Sequence, residues 1–325
     1  MTGIKATGER KLMLFSGRGH RELAEDVAGR LGTGVTPAEL KDFANGEIYA
    51  RYEESVRGCD AFVLQAHTAP INHRIVEQLI MVDALKRASA ERITVVAPFF
   101  GYARQDKKHR GREPVSARLM ADLFTAAGAD RLMVVDLHTA QIQGFFDGPV
   151  DHLHAMPLLA DHVARLVGSS ELTIVAPDAG RVRVAERWTD RAGCALAIIH
   201  KRRDPSRPSE ISVQDVVGEI AGRTCVIVDD MIDTGGTIVR AAEALAARGA
   251  AEIIAAATHG VFSGDAAERL AASAVSRLII TDTLPLPPGF HFDDLTVLSI
   301  SPLVARAIRE VFTDGSVTTL FEGES

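Results

Sequence analysis

The stretch C-V-I-V-D-D-M-I-D-T-G-G-T, residues 225–237, joins an apolar run, paired carboxylates and a glycine turn. Its β-branched start, 225–228, has the composition of a strand covered on both faces, and the alanine-rich segment 238–248 reads as a helix stopped by Gly249. The residues between them form a strand-to-helix turn. Gly235 and Gly236 allow backbone N–H groups to approach an anion, Thr234 and Thr237 add hydroxyl donors, and Asp233 opens the turn. The helix start contributes the positive end of its dipole, so the turn suits a phosphomonoester. Asp229 and Asp230, just before it at the carboxyl end of the strand, can accept hydrogen bonds from vicinal sugar hydroxyls. Together these features imply a pentose 5-phosphate. An ordinary βα connection also uses Asp and Gly for turn geometry alone, but three aspartates and two threonines around one turn exceed what geometry requires.

The chain carries this plan twice. I-T-V-V-A-P-F-F-G (93–101) and L-T-I-V-A-P-D-A-G (172–180) each run from strand into loop, and V-V-D-L-H (134–138) corresponds to I-V-D-D-M (227–231) in the same order. A duplicated α/β unit predicts parallel sheets flanked by helices, with ligand loops gathered at one edge. Helical apolar spacing recurs over 21–31, 75–89, 116–127 and 157–167, and strand patterns over 61–66 and 277–281. The Gly148-Pro149 break puts a boundary near 150–154, dividing the chain into domains 1–153 and 154–303.

Bulk properties narrow the class. The length, 325 residues, suits two domains of ordinary size. Apolar residues at 46% and charged residues at 24% match a soluble globular chain. A net charge of −7 offers no broad basic field, so no nucleic-acid partner is expected. The start lacks the apolar core of a secretory signal and no stretch is long enough to span a bilayer, which makes the cytoplasm the expected location and a membrane role unexpected. Cys59, Cys194 and Cys225 are widely spaced and read as reduced core thiols.

Cations concentrate locally instead. G-Y-A-R-Q-D-K-K-H-R-G-R (101–112) follows a buried strand directly, a placement that favours polyphosphate binding, with Arg104 and Gln105 nearest the strand. H-K-R-R-D-P-S-R-P-S-E (200–210) has four cations, two prolines and no apolar face, and reads as an exposed loop able to act as a lid. Asp136 and His138 close a strand among further carboxylates, which points to Mg²⁺ beside a polyphosphate. Asp178 stands where the first half has Phe99, a carboxylate gained for ligand or metal in the sugar half. His152 and His154 read as structural.

These motifs, in order, resemble the ribose-phosphate diphosphokinase (phosphoribosyl pyrophosphate, PRPP, synthetase) family. The resemblance runs from L-M-L-F-S-G through D-F-A-N-G-E, V-R-G-C-D, the 101–112 loop, D-L-H-T-A-Q-I-Q-G-F-F, A-P-D-A-G and H-K-R-R to V-D-D-M-I-D-T-G-G-T and the A-I-R-E helix. It implies two tandem phosphoribosyltransferase-like α/β domains, an ATP-side one and a ribose-5-phosphate-binding one, with a tail, 304–325, packing back on the first. The activity implied is transfer of the diphosphoryl group of ATP to the 1-hydroxyl of ribose 5-phosphate, giving PRPP and AMP for nucleotide, histidine and tryptophan biosynthesis.

Residue by residue, the resemblance assigns Asp229, Asp230 and Asp233, Thr234, Gly235, Gly236 and Thr237 to ribose 5-phosphate. Phe43, Asn45, Glu47, Arg104 and Gln105 match ATP-binding positions; His138 and Asp178, with Asp136, match the Mg²⁺ site. Lys201 and Arg203 match the catalytic loop. Asn45 and His200 depart from the pattern, since Asp is frequent at both places. A homo-oligomer, a hexamer or an assembly of dimers, and a phosphate or ADP effector are implied as well, with Arg57, Ser299 and Ser301 in segments associated with the effector. A phosphoribosyltransferase and a non-catalytic homologue are the competing classes. The first would not need D-F-A-N-G-E or the 101–112 loop, and retention of Lys201, Arg203 and His138 argues against the second.

Overall fold

The computed structural model describes residues 10–202 and 213–318, with the side chains of residues 201, 202, 213 and 214 left out. The chain divides into two compact units. Among the described residues, the first comprises 10–153 with 301–318, and the second 154–202 with 213–300.

In the first unit the described chain runs β1 (Leu12–Ser16), α1 (Arg21–Leu31), β2 (Ala38–Asp42), β3 (Ile48–Tyr52), β4 (Asp60–Leu64), α2 (Ile71–Arg87), β5 (Arg92–Ala97), α3 (Ser116–Ala127), β6 (Arg131–Val135) and β7 (Val150–Leu153). Five strands form one sheet in the order β1-β4-β5-β6-β7, all parallel. A parallel sheet is covered on both faces, which is why β4 reads D-A-F-V-L with every residue buried. One face packs Phe15, Val63, Val95 and Val134 against Met81, Leu85, Ala121 and Phe124 of α2 and α3. Each large apolar side chain removed from water there contributes about 1.5–3 kcal/mol.

β2 and β3 form a separate antiparallel hairpin whose strand β3 lies on α2. Its base is held by Asp42, which accepts from Nη2 and Nη1 of Arg18 at 2.7 and 3.1 Å. The same Arg18 pairs through Nε with Glu77 of α2, a fully buried carboxylate that also accepts from the Arg18 N–H at 2.8 Å and from Gln65 Nε2 at 2.6 Å.

The second unit contains α4 (Met156–Val167), β8 (Leu172–Ala176), α5 (Val182–Ala192), β9 (Ala195–Arg202), β10 (Val213–Val217), β11 (Thr224–Ile232), α6 (Gly236–Ala246), β12 (Glu252–Gly260), α7 (Ala266–Ala271), β13 (Arg277–Thr281) and β14 (Leu295–Leu298). Its sheet has the order β10-β9-β8-β11-β12-β13-β14, parallel except for the edge strand β10. β11 is the shared wall of two cores. Cys225 and Ile227 pack towards Ile238, Ala241 and Leu245 of α6, and Val226 and Val228 towards Leu159, Val163, Ala185 and Trp188 of α4 and α5.

The last helix, α8 (Ser301–Phe312), belongs to the first unit and packs on α1. Nε of Arg30 donates to Oγ of Ser301 at 2.8 Å, and Nη2 of Arg309 donates to the Arg30 carbonyl at 3.0 Å. Ser301 is fully buried at this contact.

Several elements match the sequence-based bounds closely. The helices over 21–31 and 116–127 and the strand over 277–281 coincide with α1, α3 and β13. The decisive strand differs: β11 extends through Asp229 and Asp230 to Ile232, so the two aspartates lie within the strand and not after it. Backbone pairing with β12, Asp229 to Ala257 and Ile232 to Gly260, carries the strand past its apolar core. The following helix starts at Gly236 and ends at Ala246, two residues earlier at each end than the 238–248 reading.

Candidate functional site

In the second unit the chain leaves β8 for β9 on one side and later returns as β11 on the other. The edge between β8 and β11 is therefore a topological switch point, where open α/β sheets bind their ligands outside the carboxyl ends of the strands. Three of the expected features meet there: the 177–181 turn, the paired aspartates of β11 and the turn into α6.

The turn into α6 has the geometry of an anion cradle. Gly235 is its N-cap and sits in the left-handed region, φ 73°, where a side chain is unfavourable. No side chain caps the first turn of the helix, so its N–H groups are not satisfied by the N-cap residue. The turn is braced from behind, because the N–H groups of Val261 and Phe262 donate to the Ile232 carbonyl and that of Ser263 to the Asp233 carbonyl, each at 3.0 Å. Thr234 is exposed, and Asp233, Gly236 and Thr237 are half-buried. A Cβ on Gly236 would stand 3.4 Å from Nη1 of both Arg240 and Arg269. Two guanidinium groups thus border the cradle.

Asp229 and Asp230 are held by a residue that sequence reasoning missed. Nε of Arg181 lies 2.8 Å from Oδ1 of Asp229, and its Nη2 donates to Oδ1 of Asp230 at 2.5 Å. The Asp230 N–H donates to Asp229 Oδ1 at 2.8 Å. Burial, reinforced by the charge of Asp230, pushes the Asp229 carboxyl above the ordinary carboxylate range, and Arg181 opposes that shift. A cation three residues after the aspartate of A-P-D-A-G was the available signal, but nothing in the local pattern aims it at another strand. Asp178 itself lies half-buried after β8, its Oδ1 accepting from the Gly180 N–H at 2.9 Å.

In the first unit the 101–112 loop follows β5, and Asp136 and His138 follow β6, the neighbouring strand. The two loops are tied by buried Asp106, which accepts from Thr139 Oγ1 at 2.8 Å and Gln141 Nε2 at 2.5 Å. Gln105 is oriented by Ser116 at the start of α3, whose Oγ donates to Gln105 Oε1 at 2.6 Å. Arg104 is exposed. Asp136 adopts φ 39°, and a carboxylate oxygen of it lies within 4.8 Å of a ring nitrogen of His152. Both nitrogens of His152 are engaged, Nε2 by the Leu137 N–H at 2.9 Å and Nδ1 by Gln143 at 3.4 Å, as suits a structural histidine.

Phe43, Asn45 and Glu47 sit at the tip of the β2–β3 hairpin. The Phe43 N–H donates to the Glu47 carbonyl at 2.8 Å, and Asn45 Oδ1 accepts from the Glu47 N–H at 3.2 Å. Phe43 is 48% exposed, a large aromatic surface turned to solvent with Tyr49 edge-on at 6.0 Å. Of the catalytic-loop residues, Lys201 has its backbone in β9 opposite Gln214 and its side chain outside the described part; Arg203 lies outside the described residues.

Comparison with known proteins agrees with this geometry. A family model described as the N-terminal domain of ribose phosphate pyrophosphokinase matches residues 12–128, and one described as the phosphoribosyl synthetase-associated domain matches residues 207–322. The ribose-phosphate pyrophosphokinase of Streptomyces avermitilis is 66% identical over 322 residues, covering 99% of each chain. That of Mycobacterium tuberculosis is 58% identical over 321 residues, covering 98% of each. The crystal structure of phosphoribosylpyrophosphate synthetase from Mycobacterium smegmatis superposes with a TM-score of 0.89 at 56% identity, covering 94% of this chain and all of that one. At this level of identity along the whole chain, the protein belongs to the ribose-phosphate pyrophosphokinase family.

Proposed function

We propose that this protein transfers the diphosphoryl group of ATP to the 1-hydroxyl of ribose 5-phosphate, forming PRPP and AMP. The observation that carries it is the β11–α6 segment, where two ordered carboxylates lead into a glycine turn at an uncapped helix start. Asp229 and Asp230 accept from the sugar hydroxyls, and the 5-phosphate sits on Asp233, Thr234, Gly235, Gly236 and Thr237. Arg104 and Gln105 take the nucleotide phosphates, while Phe43, Asn45 and Glu47 contact the nucleoside. The exposure of Phe43 supports a stacking role of this kind.

Lys201 and Arg203 neutralise charge that develops on the transferred group, which is where phosphoryl-type transfer gains most from a protein. The donor set suits Mg²⁺. Asp178 supplies a hard oxygen, and its Oδ2 has no hydrogen-bond partner among the described residues. His138 and Asp178, with Asp136, would hold the ion, which when bound neutralises phosphate oxygens and orients the polyphosphate. No described helix is long and apolar enough to cross a membrane, and we assign the enzyme to the cytoplasm. A homo-oligomer, a hexamer or an assembly of dimers, and control by phosphate or ADP complete the proposal.

The test is direct. Purified protein incubated with ATP, Mg²⁺ and ribose 5-phosphate should yield AMP and PRPP in equal amounts. A chain that consumes PRPP with a purine base would be a phosphoribosyltransferase, and one that does neither would be a non-catalytic homologue.

A further inference from the structure

A buried histidine ties the core of the first unit to the loop that follows β5. His67, in the segment between β4 and α2, is fully buried, with Phe100 and Phe124 beside its ring at 5.8 and 6.0 Å between centroids. Its Nδ1 accepts from the Gly101 N–H at 2.9 Å, and its Nε2 lies 2.8 Å from Oε1 of Gln78 in α2. Gln78 is fully buried as well, and its Nε2 donates to the carbonyls of Val63 in β4, at 2.8 Å, and Val96 in β5, at 3.3 Å.

Both ends of this chain of bonds have fixed directions, which sets every proton between them. A carbonyl only accepts, so the Gln78 amide nitrogen faces the two strands and its oxygen faces His67. A backbone N–H only donates, so Nδ1 carries no proton and the neutral ring donates from Nε2. Burial favours that neutral form, pushing the pKa of the imidazole down to about 4. The loop receives the other end. Gly101 is closely packed, since an added Cβ would stand 3.0 and 3.1 Å from Cδ1 of Ile71 and Ile75 and 3.3 Å from Cβ of His67. Directly after it, Tyr102 takes φ 65°, its hydroxyl donates to Asn72 Oδ1 at 2.5 Å, and its carbonyl accepts from the Gln105 N–H at 2.8 Å. The turn over 102–105 is thus closed next to the His67 contact, with Arg104 exposed on it.

We propose that His67 is a positioning residue for the nucleotide: by accepting the Gly101 N–H it holds the entry of the 101–112 loop to the β4–β5 core and fixes the turn that presents Arg104 and Gln105 to the phosphates. The role rests on the assignment of these two residues to ATP. His67 itself stays away from solvent and acts through the backbone of the loop.

The experiment uses two substitutions that each keep half of the imidazole. The amide oxygen of asparagine stands near the place of Nδ1 and the amide nitrogen of glutamine near that of Nε2, so His67→Asn keeps an acceptor for Gly101 and His67→Gln keeps a donor for Gln78. Both, with wild type and Arg104→Ala, are assayed for PRPP synthesis with ATP and ribose 5-phosphate varied in turn, and thermal melting reports folding. His67→Gln should raise KM for ATP about fivefold, as loss of one hydrogen bond predicts, with KM for ribose 5-phosphate within about twofold of wild type. His67→Asn should keep KM for ATP within about twofold of wild type, even where it melts as low as His67→Gln. An unchanged KM for ATP in His67→Gln, an equal rise in both variants, or a parallel rise for both substrates would overturn the proposal. If His67→Gln does not fold, His67→Phe, which fills the space beside Phe100 and Phe124 without an acceptor, takes its place with the same expected and refuting results. Arg104→Ala separates this inference from the reading beneath it, and should raise KM for ATP at least about tenfold. An unchanged value there means that the loop does not serve the nucleotide, and the role of His67 falls with it; a raised value beside an unchanged His67→Gln refutes the role of His67 alone.

Discussion

The two glycines of the α6 turn differ in what a methyl group would do, and the contrast separates fold from function. Gly235 has φ 73°, and an added Cβ would meet Cγ of Leu270 at 3.2 Å. Placing alanine in the left-handed region costs about 1–2 kcal/mol, while the stiffer unfolded chain returns about 0.4–1 kcal/mol. With the tight Leu270 contact added, Gly235→Ala should destabilise by about 1–2 kcal/mol, a drop of about 2–4 °C in Tm per kcal/mol for a domain of this size. Gly236 lies in ordinary helical conformation, and its nearest neighbours are side-chain nitrogens at 3.4 Å. Gly236→Ala should therefore leave Tm unchanged or raise it, since alanine is favoured over glycine in a helix by about 0.5–1 kcal/mol. Both variants should raise KM for ribose 5-phosphate, because the methyl group stands where a phosphate must approach the backbone. Melting curves with steady-state kinetics read both quantities. A Gly236→Ala enzyme with wild-type KM would refute a phosphate seated on this turn. A Gly235→Ala enzyme as stable as wild type would refute the backbone argument.

Three further outcomes are expected. Lys201→Ala should lower kcat by about 10²–10³, with ATP affinity little changed, if it stabilises only the transition state; near-normal turnover in single-turnover assays would reject the role. Arg18→Met leaves Glu77 buried without its main cation and should cost about 3–5 kcal/mol in urea unfolding; a cost below about 1 kcal/mol would mean Arg74, 3.7 Å from Glu77, replaces it. Burial, reinforced by the charge of Asp230, pushes the folded Asp229 carboxyl up to about 8 from its ordinary 3.8. The folded state then binds the extra proton between these values, so stability is lost as pH rises through that window. Asp229→Asn should flatten the fall in Tm between about pH 4 and about pH 8, and an unchanged slope would contradict the burial argument.

Much of the fold was legible because the two large sheets are parallel, the edge strand β10 apart, and largely buried. Apolar runs such as I-T-V-V-A and L-T-I-V-A have no other stable place, and glycine stops such as Gly32 and Gly128 end α1 and α3 where the pattern ends. The β2–β3 hairpin was not legible: it lies half-exposed, and the apolar-polar alternation of A-E-L-K-D spans only four residues with no buried position to set it apart from a polar loop. The length of β11 was underestimated for a related reason. Its hydrogen bonds continue through Asp229 and Asp230, although apolar content stops before them. The glycine turn was legible from chemistry, since Gly235 must occupy a conformation that few residues tolerate. Arg181 was not, because its partners are 48 and 49 positions away and only the strand order brings them together.

The alternation of β11 separates two mechanical duties. Cys225 and Ile227 bear on the helix whose first turn forms the glycine cradle, and Val226 and Val228 bear on the opposite layer, whose α5 begins next to Arg181. Anchorage of the ester and orientation of the sugar ring thus rest on different sets of methyl groups, although both belong to one strand. Repacking on one side can alter one duty while sparing the other, so substrate grip and ring selection can drift independently among homologues.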